Sequence, residues 1–457
     1  MNITPSPQLP LTFSITLEEM KSKEFVYEIA FFGAIIALVV TSIYVYKYNL
    51  KMSAEVKDSF TRFTVITGLI LLLAWFARHI FIMWLSYLAH VEEEHKEAPG
   101  FTPGVTILVP AYNEGILIAE SIKSLLALDY PEYEILVIDD GSTDNTYDVA
   151  SRFIGDYGHA VVRVVTKKNS GKANALNVGI EHAKHDFVLC MDGDSKLSSD
   201  TLRRGIVHFM DKDVGGVAGN VKVINRDRLW TKLQALEYIE GLNVIKKAEG
   251  FLHVVNIVPG AIGLFRREAL LDVGGYDDDT FAEDCDLTLK LVFKGWRVKY
   301  EPRARSFTEA PDKLMDLLKQ RYRWTRGTVQ TIKKHGHLLF RPKKGIMNTL
   351  VLWYFIIAGH FWPVVIVAAN VFLIVSTIMI SRVYLLFVWW SQLAVLEMAV
   401  AIHAIAMDRE DLKLIPYAVY HTILFVLIIN VSKTLSTLEE LFGLKMTWGK
   451  LDRIGKL

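Results

Sequence analysis

Apolar positions along the chain fall into three regimes. Two long runs come first, Phe25 to Tyr46 and Phe63 to Leu88, each about as long as a bilayer is thick. The second is aromatic-rich and is interrupted by Arg78 and His79. Both predict membrane spans. From His90 to about Gly345 no apolar run is long enough to cross, and short strand-like runs alternate with amphipathic stretches. V-T-I-L-V (105–109), E-I-L-V-I (134–138), V-V-R-V-V (161–165) and F-V-L-C-M (187–191) are nearly continuous, as strands buried on both faces should be. They predict a parallel sheet. The stretches 115–128 and 144–156 between them read as helices, so the order strand, helix, strand, helix calls for right-handed crossovers and an α/β sandwich.

After Lys344 the pattern changes again. Thr349 to Ile380, Val383 to Met407 and Leu414 to Val431 are apolar, separated by Ser381-Arg382 and by the charged D-R-E-D-L-K at 408–413. The first exceeds one span and contains His360 and Pro363. It is either one tilted, kinked helix or two shorter pieces, giving three spans or four. From Glu439 on, Lys445, Trp448, Lys450, Arg453 and Lys456 make a basic amphipathic tail that reads as lying on a surface. The expected division is therefore 1–90 with two spans, an α/β module over 91–347, a membrane region over 348–435 and a tail over 436–457.

Composition sharpens this picture in three places. A formal net charge of +1 over 457 residues argues against nucleic acid as a partner. Only two cysteines occur, Cys190 and Cys285, so no disulfide framework or zinc motif can be read, and each suits a small buried side chain. Residues 1–24 lack a basic start and the next apolar run is too long for a signal-peptide core, so it reads as a retained anchor.

Candidate chemistry gathers where a doubly wound sheet binds ligands, beyond the C-terminal ends of its strands. P-A-Y-N-E (110–114) follows the first strand, D-D-G-S (139–142) the second and D-G-D (192–194) the fourth. Two carboxylates one residue apart on a glycine turn can hold a hard divalent cation together with diphosphate oxygens. Alone, D-x-D is weak, because Asp and Gly favour turns for structural reasons. N-S-G-K-A-N-A-L-N (169–177) offers Gly171 for close backbone approach and Lys172 for a phosphate, at a helix start that favours anions. Farther on, Glu283, Asp284 and Asp286 crowd the first turn of a helix that Gly295 should stop. In Q-R-Y-R-W, Gln320, Arg323 and Trp324 share one helical face, while Arg321 and Tyr322 should point elsewhere.

Taken in order, D-D-G-S, G-K-A-x-A-L-N, D-G-D, A-E-D and Q-R-Y-R-W resemble the processive membrane-embedded family 2 glycosyltransferases, which include cellulose, chitin, hyaluronan and poly-N-acetylglucosamine synthases. G-A-I-G-L-F-R-R-E-A-L followed by A-E-D-C-D-L-T-L-K-L is most similar to the bacterial poly-β-1,6-N-acetylglucosamine synthases. The resemblance implies a GT-A-like, Rossmann-like α/β domain inserted between transmembrane helices, using Mg²⁺ or Mn²⁺. It implies donor contacts from Glu114, Asp140, Lys172, Asp192, Gln320 and Arg323, a metal on Asp192 and Asp194, and Asp284 as general base beside Glu283. Gly260, Ala261 and Trp324 would border the acceptor site. The family's T-E-D motif has Ala282 in its first position here, which leaves both carboxylates and removes a hydroxyl.

The expected function is inverting transfer of a sugar, N-acetylglucosamine foremost, from a UDP-sugar to a growing β-linked polysaccharide that leaves through the bilayer. Alternatives are a lipid acceptor giving a glycolipid, a glucose- or hyaluronan-type synthase, and an inactive scaffold subunit of an export complex. A small membrane accessory subunit is a further conceivable partner. The expected setting is multi-pass in the inner cell membrane with the catalytic domain in the cytosol, where nucleotide sugars are. The four Lys or Arg residues between Lys47 and Arg62 then run against the positive-inside tendency.

Overall fold

The computed structural model describes residues 17–55, 57–93, 100–340 and 346–444. Two long helices come first, Leu17–Glu55 and Ser59–Glu93. The apolar runs are their middles. Flanking Leu, Glu, Met and Lys are good helix formers, so helix continues past the apolar limits on both sides.

Nine strands then form one sheet: β1 (Val105–Ala111), β2 (Tyr133–Asp139), β3 (Gly155–Asp156), β4 (Ala160–Thr166), β5 (Phe187–Cys190), β6 (Ser195–Leu197), β7 (Val214–Val223), β8 (Gly263–Arg266) and β9 (Arg297–Thr308). Their order is β3-β4-β2-β1-β5-β8-β7-β9-β6. The four predicted runs are β1, β2, β4 and β5, and these are parallel to their neighbours in that group. The wholly parallel sheet expected from them is corrected beyond β5. β8 is antiparallel to both β5 and β7, β7 and β9 are parallel, and β6 and β3 pair antiparallel at the edges. Four-residue β8 and glycine-rich β7 carry too little apolar pattern to announce this reversal. Helices are also shorter than the pattern suggests, Ile118–Leu126 and Thr146–Ser151. A turn in which the Glu114 carbonyl accepts from the Leu117 and Ile118 amides delays the first.

β1 and β2 are buried at every position. One side of the sheet packs on Ile118, Ile122 and Leu125, the other on Leu176, Ile180, Leu287 and Leu291. Because β2 and β5 lie on opposite sides of β1, the chain's direction of winding switches there, and the segments after β1 and β5 face one crevice.

A helical run invisible in the pattern, Leu229–Glu237 with a π-turn at Tyr238–Val244 and then Ile245–Phe251, joins this module to the membrane side. Its Ile239 and Val244 share a core with Ala401, Ala404 and Ile405 of the helix Tyr384–Asp408. Thr349–Ile380 resolves into one continuous helix: Ile346–Ile356, a π-turn at Ile357–Phe361 just ahead of Pro363, and Trp362–Met379. Among the described residues five helices are long and apolar enough to cross a membrane. The fifth, within Leu412–Leu441, follows the module's surface. Tyr417 accepts from Lys232 Nζ (2.8 Å), Phe425 and Ile429 pack with Leu233 and Leu317, and Glu440 accepts from Arg326 Nε (2.7 Å). The D-R-E-D-L-K link is an anchor as well as a separator, since Lys222 pairs with Asp408 and Glu410, and Arg226 with Glu410. The basic tail residues Lys445, Trp448, Lys450, Arg453 and Lys456 lie outside the described residues.

Candidate active site

The acidic turn is built as its sequence suggests. A helix runs Glu283–Lys294, stopped by Gly295 at φ 110°. Asp284 at its start accepts from the Cys285 amide (2.8 Å) and, across a gap in sequence, from the Gly260 amide (3.2 Å). A second helix, Lys172–His182, begins after Gly171 at φ 93°. It carries Lys172 Nζ to within 2.6 Å of Asp192 Oδ1 and 2.9 Å of Glu283 Oε1. One ammonium thus joins the D-G-D turn to the A-E-D turn. Gly260 lies against the same ammonium, since a Cβ on it would stand 2.7 Å from Lys172 Nζ, the movable end of that side chain. Ala261 is buried in the core beside it.

D-G-D itself is braced from below, where Ser121 Oγ donates to the carbonyls of Gly193 (2.7 Å) and Ser195 (3.1 Å). Asp192 is about one third exposed, whereas Asp194 is buried. Glu114 reaches the same turn, its Cγ 3.8 Å from where a Gly193 Cβ would lie. Asp140 stands apart from this group. It is buried and accepts from the Ser170 and Gly171 amides (3.0 and 2.8 Å) and from Lys167 Nζ (2.5 Å), so its carboxylate shapes the loop that presents Lys172.

Charge follows from this packing. Burial and the adjacent Glu283 carboxylate push the Asp284 carboxyl above the ordinary aspartate range, against the pull of Lys172. Burial disfavours the Lys172 cation, but Asp192 and Glu283 outweigh it and hold its pKa well above the usual lysine value. Lys172 therefore stays charged and Asp284 is a stronger base than a solvated aspartate. Were Asp284 the general base, it would have to be ionised to act, and the acidic limb of the rate profile would lie above the usual aspartate range. Glu283→Gln removes the carboxylate that raises it, and a pH–rate series should show that limb moving to lower pH.

The Q-R-Y-R-W helix, Leu314–His335, corrects one expectation. Arg321 points inward, not away: it is buried, pairs with Glu237, donates to Gln320 Oε1 (2.6 Å) and lies 4.3 Å over the Trp324 ring. It orders Gln320 and Trp324 by touching both. The signal was available in the spacing, since Leu317, Arg321 and Thr325 repeat at four-residue intervals and all three are buried. Its partner Glu237 was not legible, lying 84 positions away. Arg323 and Trp324 are partly exposed, and Asp194 is close enough for its charge to act on Tyr238, whose ring lies near Arg321.

Gly327 was also missed. A Cβ there would meet the Ala282 amide nitrogen at 2.6 Å and the Phe281 carbonyl carbon at 2.7 Å, both backbone atoms. The helix can touch the A-E-D turn only through a glycine, and Gln330 secures the contact by accepting from the Phe281 amide (3.1 Å). Gly327→Ala should cost about 1–3 kcal/mol as overpacking does. Thermal unfolding of the purified variant checks this, and its synthesis rate should fall too, because the displaced atoms lead straight into Glu283 and Asp284.

The carboxylates suit a metal that arrives with a ligand. Among the described residues Asp192 and Asp194 belong to no preformed set of three ligands, and Lys172 already shows that Asp192 holds positive charge. Two carboxylates leave most of a hard ion's shell to phosphate and water.

A mixed sheet of this order with acidic turns at its switch point defines a GT-A-type glycosyltransferase. Residues 103–327 match the model of the glycosyltransferase-like family 2. The chain is 31% identical over 296 residues to the poly-β-1,6-N-acetyl-D-glucosamine synthase of Staphylococcus epidermidis, covering 65% of this chain and 70% of that protein. It is 34% identical over 262 residues to the synthase of the same name from Staphylococcus aureus strain COL, covering 56% and 63%. In fold it resembles the mannosyltransferase PcManGT from Pyrobaculum calidifontis, solved in complex with GDP-Man and Mn²⁺, with a TM-score of 0.53, 22% identity, and coverage of 82% of this chain and 99% of that one. The chain belongs to glycosyltransferase family 2, and it is a membrane protein.

Proposed function

We propose that this enzyme elongates a β-linked N-acetylglucosamine polymer from UDP-N-acetylglucosamine and passes it across the membrane. The likeness to two synthases of that polymer carries the reading. In the proposed reaction Asp284 takes the proton of the acceptor hydroxyl as its oxygen attacks the anomeric carbon, and UDP leaves from the opposite face with inversion. Lys172 and Arg323 neutralise charge on the departing diphosphate. Mg²⁺ or Mn²⁺ held by Asp192 and Asp194 would supply further charge neutralisation at that diphosphate. Trp324, ordered by Arg321, offers its ring to the apolar face of the acceptor sugar.

A recess between the membrane helices favours a polymer over a glycolipid. Its cavity is about 60 Å³, and four tryptophans line it, Trp75, Trp362, Trp389 and Trp390, with Asn370 among them. Trp75 and Trp362 stack on each other there and Asn370 accepts from Trp390 Nε1, so a sugar chain would have to part these contacts to slide through, whereas a lipid tail needs no polar group. The catalytic module belongs in the cytosol, where its donor is. Purified enzyme in lipid nanodiscs, given labelled UDP-N-acetylglucosamine, should retain label as a high-molecular-weight product that organic solvent does not extract. Label found wholly in the organic phase would replace this reading with the glycolipid one; turnover of UDP-glucose alone would replace the donor.

A further inference from the structure

We propose that Glu240, Glu397 and His421 form a second, zinc-type metal site, where the catalytic module meets the membrane helices. The three come from three separate elements. Glu240 is on the π-turn Tyr238–Val244, Glu397 on the helix Tyr384–Asp408 and His421 at the start of the π-turn His421–Val426. One ligand atom from each lies within 4.8 Å of the other two. Zinc bonds to carboxylate and imidazole are about 2.0–2.2 Å, which sets the ligand atoms about 3.3 Å apart in a tetrahedron, so small side-chain rotations close the site.

The histidine is what points to an ion. His421 is only 4% exposed, yet neither ring nitrogen has a hydrogen-bond partner, and Glu240 Oε1 is likewise buried and unpartnered. A buried imidazole ordinarily satisfies both nitrogens. The nearest approach, Nδ1 to Glu240 Oε2, is 3.8 Å, too long for a hydrogen bond and suited to an ion between them. Phe425 stacks on the ring at 5.2 Å and 21°, fixing its plane.

The other carboxylate cluster shows what a cluster filled by protein cations looks like. Asp277, Asp279 and Asp286 also sit close together, but Lys334 Nζ bonds all three at 2.6–3.0 Å, Lys290 adds to Asp277 and His335 to Asp286. Among the described residues neither Glu240 nor Glu397 has such an ion pair with Lys or Arg; Arg78 acts on Glu397 without one. Two buried carboxylates side by side cancel the charge of a divalent ion, and with one imidazole they fill three of its coordination positions. Glu397 also lines the tryptophan recess, so a fourth coordination position would open toward it. A bound ion would clip the module's π-turn to two membrane-side helices.

The test is metal content of the purified full-length protein, loaded with zinc and dialysed exhaustively, measured by inductively coupled plasma mass spectrometry. Wild type and Asp194→Asn should each retain about one zinc per chain, and His421→Gln at least about tenfold less. Cobalt in place of zinc should give the visible bands of a four-coordinate site in wild type and lose them in His421→Gln. Wild type that retains no zinc, or His421→Gln that retains as much, overturns the proposal. Should His421→Gln not elute as wild type does on size exclusion, Glu397→Gln is judged by the same criterion.

Discussion

Asp284→Asn is expected to bind UDP as wild type does and to make almost no polymer. Asn keeps the size of the side chain but only one of its two oxygens, so it can accept from one of the two amides, Gly260 on Oδ2 or Cys285 on Oδ1, and not from both. What it loses is the capacity to take a proton. General-base assistance is worth about 10² to 10⁴ in rate. Lys172, Asp192 and Asp194 are untouched, so calorimetric UDP affinity should stay within about twofold while turnover collapses, as removal of an interaction used only in the transition state requires. Synthesis by the variant above about a tenth of the wild-type rate would move the base elsewhere, to Glu283 first.

Much of this arrangement was legible in the sequence because it is local. Four strand runs, the start of the A-E-D helix, its stop at Gly295 and the entry of Lys172 through Gly171 are each decided within a few residues. Pairings across the chain were not. Arg321 reads from its spacing as pointing away from Gln320 and Trp324, and the helix that carries its partner Glu237 has no strong apolar stripe to announce the pairing. The antiparallel turn of the sheet hid in the four residues of β8, too short to show a strand pattern. Gly327 was opaque as well: a glycine shows why it is needed only when the backbone it touches is known.

Asp194→Asn is the second substitution expected to be nearly fatal, through a different step. Asp194 is buried where Asp192 is partly open, so it has the fewer alternative ways to be satisfied and the stronger claim on an ion. Losing one of two carboxylates should abolish the response of UDP affinity to added Mn²⁺ and lower turnover about 10²-fold or more, while exhaustive chelation does the same to wild type. Full activity after chelation, or an unchanged metal requirement in the variant, would remove the ion from the reaction. Paired with Asp284→Asn, the two variants separate donor capture from proton removal.

The last long helix, pinned at Tyr417, along Phe425 and Ile429, and again at Glu440, has a mechanical consequence. Together with the buried Lys222 clamp on Asp408 it fastens the catalytic module to the membrane bundle at several points, and buried ion pairs are little weakened by salt. In the proposed polymer synthase, such a frame would leave each added sugar to be carried forward by movement of the glycan itself across Trp324.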